Sequence, residues 1–181
     1  MTQVDTAALA PFFAREAELA TIASHLADPA CRLLTLVGLG GVGKTRLALE
    51  AGARAGAFAD GAFMIELPDG IVESQITDAT ADALHIAVHE QSEPRTQILR
   101  WLRDRQALLI FDGAEGRPVL DWIHAILAAA PAVKVLATAR EPLQSQSEWL
   151  LTLAGLPYPG PGDARAVIDP GAFGAVALFG A

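Results

Sequence analysis

Leu33-Leu34-Thr35-Leu36-Val37-Gly38-Leu39-Gly40-Gly41-Val42-Gly43-Lys44-Thr45 holds two patterns that together decide the fold. Its first five residues are nearly all apolar, as a strand covered on both faces must be. The next eight match G-x-x-x-x-G-K-[ST], and beyond Thr45 the residues Leu47, Ala51, Ala55 and Phe58 recur at helical spacing. Strand, glycine loop and helix in that order predict a phosphate cradle. Glycines at 38, 41 and 43 open backbone conformations that a Cβ forbids, so successive N–H groups can face phosphate oxygens. The helix N-terminus adds unpaired N–H groups and its dipole. Lys44 offers a charge to β- and γ-phosphates and Thr45 a hydroxyl to a bridging Mg²⁺, while Gly40, Val42 and Arg46 complete the expected nucleotide-binding set.

Outward from this stretch, helical patterns alternate with short apolar runs, which predicts an α/β fold with helices on both faces of a mostly parallel sheet. Upstream, Leu19, Ile22, Ala23 and Leu26 form one stripe over residues 16–27. Downstream, Asp60-Gly61 turns the chain into a strand at 62–67, followed by a weak helical pattern from Ile71 to Ala87. Pro94 and Pro118 each open a helix, the first carrying Ile98, Trp101 and Leu102 and the second Val119, Ile123, Ile126, Leu127 and Ala130. Strands are expected at 107–111, 133–138 and 149–153. Pro157, Pro159, Gly160, Pro161 and Gly162 then predict a linker, and 172–179 a short apolar fragment. The expected division is a tail at 1–11, a nucleotide-binding domain at 12–154, and a linker with the start of a further element at 155–181.

Composition narrows the function classes. With 181 residues, 52% apolar and 19% charged, the chain is neither disordered nor too short for a core. Its 13 basic and 21 acidic residues leave −8, which disfavours direct nucleic acid binding by this segment. No apolar run is long enough to span a bilayer, and the N-terminus carries Asp5 but no basic residue before Arg15, so a cytoplasmic location is expected. Cys31 reads as a small buried hydrophobe.

Two further strand ends carry chemistry. Leu108 to Asp112 sets a carboxylate at the C-terminal end of a buried strand, the edge where open α/β sheets bind ligands; Asp112 is either a Mg²⁺ residue or a turn cap. Glu115 is the candidate catalytic base, since Gly113 stands directly after the aspartate. Val135 to Arg140 ends in a second polar pair, Arg140 being either a γ-phosphate sensor or a surface partner of Glu141. His85 and His89 lie four apart, but Ile86 occupies the place of a zinc protease's glutamate. His25 and His124 read as surface residues and Trp101 and Trp122 as core. Arg95, Arg100, Arg103 and Arg105 are interleaved with acids and read as a solvated face.

Four segments in order resemble the motifs of STAND-class P-loop ATPases, the NB-ARC-like module of bacterial SARP- and LuxR-type regulators. Phe12 to Leu19 resembles the h-h-G-R-E-x-E-L box, Gly38 to Thr45 the Walker A loop, Leu108 to Asp112 Walker B, and Thr138 to Leu143 the T-[ST]-R-E-P-L sensor segment. The resemblance implies a P-loop NTPase three-layer α/β/α sandwich with a five-stranded sheet in the order 2-3-4-1-5. It also implies that Arg15 and Thr138 join the nucleotide site and that Arg140 acts as sensor. Ala14, Gly113 and Ala139 depart from the family pattern in ways that bear on turnover more than on binding. The implied function is an ATP- or ADP-binding signalling switch with slow or absent hydrolysis, read out by a protein partner or by C-terminal domains this chain lacks. An active ATPase or small-substrate kinase, and a degenerate fragment acting as an interaction module, are the alternatives.

Overall fold

The computed structural model describes residues 15–89 and 92–155. The predicted tail, residues 12–14 of the first box, and the linker and apolar fragment beyond Gly155 lie outside them. In chain order the elements are α1 (Glu16–Ala27), β1 (Leu33–Val37), α2 (Lys44–Ala53), β2 (Ala62–Glu66), α3 (Glu73–Ala83), α4 (Pro94–Leu102), β3 (Leu108–Asp112), α5 (Arg117–Ala129), β4 (Lys134–Ala139) and β5 (Glu148–Thr152). The sheet runs β2-β3-β4-β1-β5, and every pairing is parallel.

Two helices are shorter than the apolar spacing predicts. α2 stops at Ala53, and the chain turns through Gly56 N–H to Arg54 O and Phe58 N–H to Ala55 O. Phe58 still packs on the cluster that α1 and α2 share, so its spacing reflects burial without helix, and exposed Gly56 is the helix breaker. α3 covers only Glu73–Ala83, and His85 follows at φ +53. His85 and His89 therefore do not share a helix face.

Side chains alternate across the pleat. Leu34 and Leu36 of β1, with Ile110 and Leu136, meet Leu19 and Ile22 of α1 and Leu47 and Ala48 of α2. Leu33, Leu109, Phe111 and Val135 point to the other face, against α3, α4 and α5. The result is three layers, α/β/α. Trp122 is buried in the second core and donates its indole N–H to Thr80 Oγ1 at 3.0 Å, whose own hydroxyl donates to Ile76 O at 2.7 Å. That chain satisfies every polar atom the large ring brings inside. Trp101 is only half-buried, beneath the Arg105 guanidinium at 4.5 Å.

At the amino end of the strands two cations finish helices. Arg32 donates to Val133 O at 2.8 Å, Ala130 O at 2.7 Å and Leu127 O at 3.3 Å, the carbonyls that α5 leaves unpaired and those just past it. Lys134 Nζ donates to Leu26 O at 2.8 Å and to Asp28 O, closing α1. Burial lowers the pKa of both below their ordinary values, and it raises that of the buried Cys31 thiol nearby. On the flank of the sheet, Asp60 accepts from Arg105 at 2.6 Å and from Gln106 N–H at 2.8 Å.

Candidate functional site

The registers bring the carboxyl ends of the strands to one edge: Val37 lies beside Ala139 and Thr152, and Glu66 beside Asp112. The loops that follow these strands form the site. In the loop after β1, Gly41 and Gly43 take φ of +75 and +95, the left-handed region that glycine adopts at no steric cost. Gly38 does not have that conformation; it is needed for closeness, since a Cβ there would lie 2.7 Å from Leu153 O. Gly40 has neither constraint. Gly43 precedes α2 and no side chain caps that helix, the setting in which a helix N-terminus can meet an anion. Lys44 Nζ folds back onto Gly38 O at 2.8 Å and Leu39 O at 2.9 Å, and Arg46 sits half-buried on the first turn of α2.

Thr45, Asp112 and Thr138 converge at this edge. Thr45 Oγ1 donates to Asp112 at 2.8 and 2.9 Å. Thr138 Oγ1 accepts Gly113 N–H at 3.0 Å, which directs its own proton to Asp112 Oδ1. Asp112 is thus held by the head of α2 through Thr45 and by β4 through Thr138. Gly113 has φ +76, and a Cβ on it would meet Leu67 O at 2.7 Å. The backbone itself therefore excludes an acidic side chain directly after Asp112.

Arg140 and Glu115, the two candidate catalytic residues, face each other at 3.5 Å, and Arg140 also reaches Asp69 at 3.4 Å. The pairing with Glu141 is not formed. Asp69 is a residue the sequence reading missed; it follows β2 as Glu115 follows β3, and the adjacency of those strands was the available signal. Beside this trio a cavity of about 610 Å³ opens between the β3–α5 and β4–β5 loops, lined by Glu115, Arg117, Leu120, Arg140 and Leu143 among others. Arg15 lies against the loop itself. It is 6% exposed and bonded to Glu18, Val42 O and Ala154 O, so its guanidinium grips the loop's backbone. Among the described residues no cluster of three or more His, Cys, Asp or Glu has metal-binding geometry, and no helix is long and apolar enough to cross a membrane.

A parallel sheet in this order, with a glycine loop feeding α2 and an aspartate at the neighbouring strand end but one, defines a P-loop nucleotide-binding domain. The NB-ARC domain family matches residues 15–146, and the chain belongs to that family. A Mycobacterium tuberculosis protein with the provisional name of an HTH-type transcriptional regulator is 38% identical over 123 residues, 65% of this chain and 13% of that protein. An uncharacterized Mycobacterium bovis protein is 30% identical over 138 residues, 74% of this chain and 34% of that protein. The chain thus spans about an eighth and a third of these relatives. Among solved structures, Cdc6p of Pyrobaculum aerophilum is similar at TM-score 0.57 and 16% identity, covering 86% of this chain and 48% of that one. PCH-2 of C. elegans is similar at TM-score 0.50 and 14% identity, covering 77% and 42%. At such identities the likeness concerns the fold.

Proposed function

We propose that this domain binds ATP or ADP with Mg²⁺ and works as a signalling switch whose hydrolysis is slow or absent. The observation that carries the reading is the Thr45–Asp112–Thr138 cluster set against a loop with left-handed glycines at 41 and 43. Loop N–H groups and Lys44 would hold the phosphates. Thr45 and Asp112 offer the oxygen donors that Mg²⁺ prefers, Asp112 from behind Thr45; when bound, the ion neutralises charge between the β- and γ-phosphates. Thr138 keeps the Asp112 carboxylate aimed at that position. Two features favour slow turnover. Position 113 excludes an acidic side chain, and Glu115, the candidate base, is engaged by Arg140.

In this reading Arg140 exchanges its carboxylate partners for a terminal phosphate, so its contacts differ between the ATP and ADP states. A partner protein, or further domains of the kind the longer relatives have room for, would read that difference. The HTH-type regulator names among the relatives support a role in transcriptional control.

Titration calorimetry with ATP and ADP in the presence of Mg²⁺ tests the reading. Binding is expected in the wild type, and Lys44→Ala should weaken it roughly a hundredfold, the upper range for a lost charged hydrogen bond. No binding by folded wild-type protein would overturn the proposal. Turnover above about 1 s⁻¹, the low end for kinases, would replace the switch with an active enzyme.

A further inference from the structure

The phosphate loop is tied in three ways to the point where the chain leaves β5. Leu153 N–H donates to Val37 O at 2.7 Å, just before the loop begins. Gly38 approaches Leu153 O so closely that a Cβ would lie 2.7 Å from it. The third tie is Arg15, whose Nη2 donates to Val42 O at 3.1 Å inside the loop and to Ala154 O at 2.8 Å beyond the strand. Its Nη1 pairs with Glu18 at 2.8 Å, and the residue is 6% exposed. A guanidinium is a rigid planar fork, so two carbonyls bonded to one of its nitrogens cannot shift independently. A trans peptide points its C=O and N–H in opposite directions. By drawing Val42 O toward itself, Arg15 turns the Gly43 N–H away from itself, fixing the direction of one donor at the head of α2.

We propose that Arg15 is a positioning residue that couples the phosphate loop to residues 153–155, so that phosphate bound in the loop orders the chain where it leaves the sheet. The ligand in this proposal rests on the nucleotide-binding reading above; the tie itself rests on the geometry alone. A phosphate that engages the Gly43 N–H fixes the Val42 peptide from its other side, strengthens its bond to Arg15, and thereby restrains Ala154. The coupling needs no contact between Arg15 and the nucleotide.

Hydrogen exchange of the full chain, with and without saturating ADP and Mg²⁺, tests both parts. Without nucleotide, Arg15→Gln should speed exchange at residues 39–45 and at 152–155 together, by roughly ten- to a hundredfold, with β3 as the unchanged reference. ADP should slow both segments in the wild type but only the loop in Arg15→Gln. Glu18→Gln leaves both carbonyl bonds in place and should keep the coupling. Arg15→Lys, whose point charge lacks the fork, should restore part of it and carries the test if the glutamine variant unfolds. If ADP slows the loop but not 152–155 in the wild type, or slows 152–155 equally in Arg15→Gln, the coupling is overturned while nucleotide binding stands. If no variant binds nucleotide, the proposed function falls and the coupling with it, and joint loosening of the two segments in Arg15→Gln would then show that the tie is structural only.

Discussion

At the amino end of the strands, Arg32 and Lys134 donate to backbone carbonyls at the ends of α5 and α1 and just past them, most at 2.7–2.8 Å, and among the described residues neither forms a direct ion pair with a carboxylate. At the carboxyl end, Arg140 faces the carboxylates of Asp69 and Glu115 at 3.4 and 3.5 Å, with 62% of its side chain exposed. The acceptors make the difference. Carbonyls at a helix end are fixed in place and lose stability if orphaned, whereas exposed carboxylates re-solvate freely when their partner departs. A cation on the first kind of acceptor completes the fold, and one on the second kind is available to a ligand.

The sharpest break of this contrast is Arg32→Ala. It removes the guanidinium from Leu127 O, Val133 O and Ala130 O, of which Ala130 O keeps the Val133 N–H, and should cost about 3 kcal/mol in urea unfolding, against a range of about 1–3 kcal/mol for one unsatisfied buried group. A loss below about 1 kcal/mol would mean that water replaces the guanidinium and the two ends are alike. Arg140→Ala should change stability by no more than about 0.5 kcal/mol, as exposed ion pairs do. In the proposed switch it should reduce the preference for ATP over ADP roughly tenfold, by loss of a charged hydrogen bond to the terminal phosphate. Unchanged discrimination would leave Arg140 a surface residue.

Asp60 sharpens the contrast from between the extremes, a half-buried carboxylate held by short bonds. The Arg105 guanidinium, then the Gln106 N–H, hold its pKa below the usual carboxylate range. The native state therefore takes up that proton less readily than the unfolded chain, so the stability this group adds is complete above about pH 4 and is lost as pH falls through the lowered value. Thermal midpoints of Asp60→Asn and wild type should converge in acid. Curves that stay parallel would show that the pairing adds nothing.

Most of the architecture was legible because a parallel sheet covered on both faces writes its strands as apolar runs. The Leu33–Val37, Leu108–Phe111 and Val135–Ala139 segments could not be read otherwise, and the glycine loop gave the first of them a direction. Thr45, Asp112 and Thr138 were legible for the same reason: each sits at the end of such a run or at the start of the helix after it. What failed depends on partners distant in sequence. Phe58 kept helical spacing while its backbone had already turned at Gly56. The pairing of Arg140 with Asp69 depends on β2 lying two strands from β4, and the grip of Arg15 on Ala154 on the neighbourhood of β1 and β5. A periodicity reports which face is buried, but it does not report what lies beside it.

The place of β1 in the sheet also has a consequence during synthesis. Leu33 pairs with Val135 on one side and Glu148 on the other, so the strand that leads into the phosphate loop is made about 100 residues before either neighbour. At about 5–20 residues per second, both of its hydrogen-bonding edges wait on the order of 5–20 s for partners, while α1 and α2 are already at hand for one of its faces. The glycine loop is thus synthesised well before the two strands that flank its own in the sheet, and in that interval the emerging chain most needs shelter from its neighbours.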